Sequence, residues 1–130
     1  MPRQINVAAG ILLGHDGRVL IAERTGDHSF AGLWEFPGGK MMDGEQSAAA
    51  LRRELHEELG IEIVDQVLFM SVEHAYPDRS VSIDFYLIEE WRNTPEGRDG
   101  QALMWISPNA LSEDLLLPAD SAVITALQQR

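Results

Sequence analysis

Five glutamates, Glu45, Glu54, Glu57, Glu58 and Glu62, stand within eighteen residues of the stretch GGKMMDGEQSAAALRRELHEELGIEI, which runs from Gly38 to Ile63. Carboxylate oxygen is a ligand for hard divalent cations and a carrier of protons, and here it is crowded into one segment. Ala48, Ala49, Ala50, Leu51, Leu55 and Leu59 predict a helix from about Glu45 to Leu59, with Gly60 as its C-terminal stop. At ~100° per residue, Leu51, Leu55, Ala48 and Leu59 fall within ~80° of one another and form the buried stripe. Arg52, His56 and Arg53 take the solvent side, and Glu57, Glu54 and Glu58 lie between about 240° and 340°, against the edge of that stripe. Like charges at these spacings destabilise a helix by a few tenths of a kcal/mol even when exposed, and partial burial raises the cost. Three arrangements relieve it: a proton held on one carboxylate, a divalent cation among them, or a solvated acidic face balanced by Arg52 and Arg53. With no cysteine in the chain and no histidine on that arc, a cation there would be a hard one, Mg²⁺ or Mn²⁺.

The elements around this segment alternate strand and turn. Ile5 to Leu13 has the period of a strand, His15-Asp16-Gly17 makes a tight turn, and Arg18 to Glu23 returns. Thr25 to Leu33 reads as loop. Trp34-Glu35-Phe36 is a short strand stopped by Pro37-Gly38-Gly39. Beyond the helix, Ile61 to Glu73 is strand-like, Tyr76-Pro77-Asp78-Arg79 is a turn, and Val81, Ile83, Phe85 and Leu87 alternate along a further strand. Trp91 to Gly100 is a polar loop and Ala102 to Ile106 a strand, while Pro108 to Leu116 fits no element clearly. Asp120 to Gln129 is a short amphipathic helix with Val123, Ile124 and Leu127 turned inward and Asp120 placed as its N-cap. The expected class is α/β (α+β), a mixed β-sheet between helices.

A chain of 130 residues with 45% apolar content suits one domain, residues 1–130, around one core. The formal charge of −11 argues against a nucleic-acid polymer as partner, because phosphate backbones require a basic stripe. A small phosphorylated ligand remains compatible, since a bound metal inverts the local field. Lys40, the only lysine, follows the glycine pair directly and is either a phosphate contact or a solvated loop residue. The absence of cysteine excludes disulfides and thiolate metal sites. No apolar run is long enough to span a bilayer, and the start MPRQINVAAGILLG lacks the pattern of a signal peptide, so a cytoplasmic protein with no membrane partner is expected.

The spacing across the acidic segment carries a family resemblance. Gly39, five residues, Glu45, seven residues, Arg53-Glu54-Leu55, one residue, Glu57-Glu58, one residue and Gly60-Ile61 matches every specified position of the Nudix box over 23 positions. WEFPGGK before the box, YPDR after it, the segment from Trp91 to Trp105 and LPAD near the C-terminus resemble the MutT branch, so the likeness covers nearly the whole chain. It implies a Nudix fold with a loop–helix–loop catalytic box. The implied function is a metal-dependent nucleoside triphosphate pyrophosphohydrolase: water attacks the β-phosphorus and gives a nucleoside monophosphate and pyrophosphate. Removal of 8-oxo-dGTP would make it a sanitiser of the nucleotide pool, a DNA-repair role. The same resemblance implies Glu54, Glu57, Glu58 and the Gly38 carbonyl as metal ligands and Glu54 or Asp99 as base, while Arg53, bordering the acidic arc, is placed to orient one carboxylate. Asp99 stands where the branch usually has a longer glutamate. Arg24, Phe36, Lys40, Arg79 and Asp120 match substrate-side positions, with Phe36 lining the base pocket. A monomer or weak homodimer is expected.

Asp120 departs from the MutT pattern, which has asparagine after Pro-Ala. Asparagine both donates and accepts, as the O6 and N7–H of 8-oxoguanine require; an ionised aspartate only accepts. It could instead take the N4 amino group of cytosine, and related Nudix enzymes with aspartate in such a motif include cytidine-nucleotide pyrophosphatases. CTP or 5-methyl-dCTP is therefore the alternative substrate. A non-catalytic, nucleotide-sensing Nudix module is the alternative of another class, and loss of box glutamates would mark it; none is lost.

Overall fold

The computed structural model describes residues 3–25 and 32–130. Strands β1 (Arg3–Leu12), β2 (Val19–Glu23), β3 (Trp34–Glu35) and β4 (Gly38–Lys40) precede helix α1 (Ser47–Leu59). Strands β5 (Glu62–Tyr76), β6 (Arg79–Arg92) and β7 (Leu103–Ile106) follow, then two single 3₁₀ turns at Pro108–Ala110 and Pro118–Asp120, and helix α2 (Ser121–Gln128). The strands form two sheets, one of order β4-β1-β6-β5 and one of order β3-β2-β7. In the larger, β1 runs parallel to β6 with Arg3 opposite Arg79 and Leu12 opposite Ile88, while β4 and β5 are antiparallel to their neighbours.

Period-two alternation in β1 and β6 sends side chains to both faces of this sheet, and each face has its own helix. Ala8, Leu12 and Ile88 pack with Ala50, Leu51, Leu55 and Leu59 of α1. Ala9, Ile11, Ile83 and Phe85 pack with Val123, Ile124 and Leu127 of α2. Leu51, Leu55 and Leu59 are fully buried, each worth roughly 1.5–3 kcal/mol, and they are the stripe that helical spacing marks out. The mixed sheet between helices thus holds, with the shorter strands set apart in a second, antiparallel sheet. Among the described residues, no helix is long and apolar enough to cross a membrane.

Three boundaries differ from the sequence reading. The Gly38-Gly39-Lys40 segment, expected to stop a strand, is itself β4, paired with Ala9, Ala8 and Val7 of β1. The two main chains lie so close that a Cβ at Gly38 would strike the Ala8 carbonyl, so here glycine is what admits the pairing. Helix α1 begins at Ser47 instead of Glu45, because the Glu45 side chain is drawn into the loop before it. Strand β5 runs on to Tyr76, since β6 pairs with it along its whole length. Residues 26–31 of the expected Thr25–Leu33 loop lie outside the described residues.

Candidate active site

Strand β4 lays its glycines alongside the helix bearing the glutamates, and the Glu54 carboxylate rests directly on Gly39, where a Cβ would collide with it. Arg53 fixes this arrangement. Its Nε and Nη2 donate to the two oxygens of Glu45, each at 3.0 Å, its Nη1 donates to Glu54 Oε1 at 2.8 Å, and Nη2 also reaches the Lys40 carbonyl at 3.2 Å. One planar fork therefore ties the pre-helix loop, β4 and the helix together, a geometry lysine could not supply. Glu45 also accepts from the Met42 amide at 2.9 Å. These bonds, the Arg53 pair foremost, hold its carboxyl down to about 2. Glu45 is thus an orienting residue.

A cleft of about 700 Å³ opens beside this clamp. Its walls bring together Gly38, Gly39, Lys40, Glu54, Glu58 and Asp99 with Arg24, Phe36, Arg79 and Asp120. Burial pushes Glu58 up to about 8, with help from the negative charges of Glu54, Glu35 and Asp99. Glu57, by contrast, is 59% exposed, stands 3.6 Å from Arg53 and is not part of the cleft wall. Arg53 likewise acts from behind the wall.

Carboxylates and a glycine carbonyl are hard oxygen donors, and the raised Glu58 marks a place where a divalent cation would relieve like-charge repulsion. Among the described residues, no three His, Cys, Asp or Glu side chains already stand close enough to cage an ion.

Phe36 is buried edge-on to Phe85, with ring centroids 6.0 Å apart, and is one of the apolar residues lining the cleft. Asp120 is only 3% exposed, and its Oδ2 has no hydrogen-bond partner among the described residues. Although Asp120 occupies the N-cap position of α2, its side chain makes no capping bond. Burial, with Glu35 adding to it, pushes its carboxyl up to about 7. The capping role expected of it is therefore not taken up: Asp120 is a buried acid among the residues lining the cleft, with Oδ2 unpaired among the described residues. Arg24 pairs with Glu35 at 2.8 Å, and Arg79 lies over the Tyr76 ring at 4.9 Å while pairing with Asp78 at 3.0 Å.

Glu35, Tyr76 and Gln101 are among the lining residues that the sequence analysis does not single out. Glu35 contributes to the raised carboxyls of both Glu58 and Asp120, and so connects the two groups of cleft residues electrostatically. Tyr76 carries only a turn signal in the sequence, and Gln101, whose Oε1 accepts from the Asp99 amide at 2.9 Å, carries none. Glu35 had a signal: an acid flanked by Trp34 and Phe36 in a strand is an unusual neighbour for apolar residues.

A mixed sheet between two helices, with carboxylates gathered on one side of a cleft and a buried acid and aromatic ring on the other, is the framework of a Nudix hydrolase. The chain belongs to the Nudix family: the family's "NUDIX domain" pattern matches residues 8–126. It is 39% identical to an 8-oxo-dGTP diphosphatase of Haemophilus influenzae over 95% of this chain and 90% of that one. It is 36% identical to a CTP pyrophosphohydrolase of Escherichia coli over 95% of this chain and 91% of that one. Among solved structures, the ORF135 protein of E. coli superposes with a TM-score of 0.85 at 34% identity, covering 98% of this chain and 91% of its own. Nudix hydrolases generally need a divalent metal.

Proposed function

We propose that residues 1–130 act as one Nudix domain that hydrolyses a nucleoside triphosphate to the monophosphate and pyrophosphate, with 8-oxo-dGTP as the preferred substrate. The observation that carries this reading is a single cleft holding both the box carboxylates and the buried, half-satisfied Asp120 beside Phe36. Glu54, Glu57 and Glu58 with the Gly38 carbonyl would hold the divalent ion, Mg²⁺ or Mn²⁺, whose chemistry there is to offset phosphate charge and acidify the attacking water. Glu57 would join from the rim. Lys40, Arg24 and Arg79 supply positive charge for the phosphates and the nucleoside. Glu54 is held in place by the Arg53 guanidinium, the setting of a ligand, so Asp99, which lines the same cleft, is assigned the proton of the attacking water.

The identity to the H. influenzae 8-oxo-dGTP diphosphatase supports the substrate, and the raised carboxyl of Asp120 lessens the main objection to it. A protonated aspartate has both a donor and an acceptor, as asparagine does, and can meet O6 and N7–H of 8-oxoguanine together. CTP is the second reading, supported by the CTP pyrophosphohydrolase relative and by what the ionised Asp120 offers to an N4 amino group. The test is a pyrophosphate-release screen over canonical and damaged nucleoside triphosphates with Mg²⁺. Fastest release from 8-oxo-dGTP is expected; release from none of them would refute the activity, and a clear preference for CTP would select the second reading.

A further inference from the structure

The loop between β6 and β7, residues 93–102, carries Asp99, yet nothing in its composition explains how a polar loop holds an acid in place. The structure shows that it is fastened to the C-terminal end of α1. The amides of Glu96 and Arg98 donate to the carbonyls of Leu59 and Glu58 at 3.0 and 3.1 Å, and Asn93 Nδ2 donates to the Gly60 carbonyl at 3.3 Å. The Arg98 guanidinium lies flat against Gly60, where a Cβ would stand 2.6 to 2.8 Å from Nη2, Nε and Cζ, and its Nη1 approaches the His56 carbonyl at 3.5 Å. Gly60 is thus used twice. Its φ of 74° ends the helix, and its bare Cα is the seat for a planar cation at the negative pole of α1.

We propose that Arg98 is a positioning residue: seated on Gly60, it latches the loop to the end of α1 so that the neighbouring Asp99 is presented to the cleft beside Glu58. This rests on the reading of Asp99 given above. The backbone bond from Arg98 to Glu58 makes the two acids neighbours through one hydrogen bond and one peptide link. Both line the same cleft. The charge of Asp99 also contributes to the raised carboxyl of Glu58, as nearness requires. Gln101, accepting from the Asp99 amide, holds the other side of the turn.

The experiment compares Arg98→Ala, Arg98→Lys, Asp99→Asn and the Arg98→Ala/Asp99→Asn double variant. Two measurements are made: amide hydrogen exchange at positions 96 and 98 without metal, and kcat and KM for 8-oxo-dGTP, or for the best substrate of the screen, with Mg²⁺. Arg98→Ala is expected to speed exchange at both amides by about tenfold or more and to lower kcat by roughly 10- to 100-fold, the usual cost of losing an outer support, with little change in KM. Arg98→Lys restores the charge without the flat seat, and recovers part of both. Adding Arg98→Ala to Asp99→Asn should cost nothing further, because the latch then has no acid to present. Equal losses from Arg98→Ala in both backgrounds, unchanged exchange, or full activity in Asp99→Asn would each overturn the inference. Failure of the unaltered protein to release pyrophosphate from any nucleotide would instead strike the reading beneath it, and unchanged exchange in Arg98→Ala would still refute the latch independently.

Discussion

Replacing Asp120 by asparagine exchanges a buried acid for a neutral residue of the same shape. The carboxyl of Asp120 moves from an ordinary 3.8 to about 7 on folding, chiefly through burial. Between those values the folded state keeps a proton that the unfolded state has released, so stability falls as pH rises from about 4 to about 7 and is level above that. About three pH units at 1.36 kcal/mol each place the full penalty near ~4 kcal/mol, and the part accumulated between pH 5 and pH 8 near ~3 kcal/mol. Asparagine carries no such penalty, although an amide hydrogen left without a partner costs about 1–3 kcal/mol at every pH. The variant should therefore gain on the unaltered protein as pH rises. The gap in Tm should widen by about 10 °C between pH 5 and pH 8, taking roughly 3–5 °C per kcal/mol for a chain of this size. Thermal melts followed by circular dichroism in matched buffers measure it. Parallel curves for the two proteins across that range would refute the account of Asp120 as a buried acid that keeps its proton. The same titration should govern substrate choice. In the unaltered protein the preference for 8-oxo-dGTP over CTP weakens from pH 6 to pH 8, and in Asp120→Asn it stays high and flat.

Glu54→Gln and Glu58→Gln should each lower kcat on the order of 10²–10³-fold while leaving the circular dichroism spectrum unchanged, since each removes a carboxylate that would hold the divalent ion. A chelator should abolish turnover of the unaltered protein, and added Mg²⁺ or Mn²⁺ should restore it; full activity after exhaustive chelation would dismiss the metal assignment. The adjacent glycines should fail differently. Gly38→Ala drives a methyl into the β1 main chain and should cost about 3 kcal/mol in a urea melt, whereas Gly39→Ala meets only the movable Glu54 carboxylate and should lose activity with a smaller change in stability.

The chemistry-bearing helix was legible from the chain because its signal is local: the angular spread of Leu51, Leu55 and Leu59 against Glu54 and Glu58 follows from helical geometry alone. The seat of the opposite helix was legible for the same reason, through Val123, Ile124 and Leu127. Strand β4 was not, because a glycine pair after proline favours a stop locally, and only the approach of β1 makes it a strand. The position of Glu57 outside the cleft was also hidden. Its arc neighbours Glu54, and whether a side chain at that angle meets the cleft or solvent depends on how closely β4 approaches α1. Tyr76 escaped because its place in the cleft wall depends on the fold, and Glu35, although its aromatic neighbours mark it, matters only once Glu58 and Asp120 are brought near. The unspent oxygen of Asp120 could not be read from sequence at all: an aspartate before a helix is an ordinary cap until burial and the missing capping bond are seen together.

The pairing of β5 with β6 shifts register three times, between Ile63 and Asp65, between Asp65 and Val67, and between Leu68 and Met70. Strand β5 is the outermost of its sheet, and in this kinked stretch Val64, Val67 and Leu68 face outward, with Val67 61% exposed. A straight border of that length with aliphatic side chains would be a template on which another molecule could add a strand, the first step toward fibrils. The bulges break the even spacing of its outward amides and carbonyls and twist it away from flatness. The exposed aliphatic side chains thus sit where the edge is least regular, so an added strand would find its poorest template beside them.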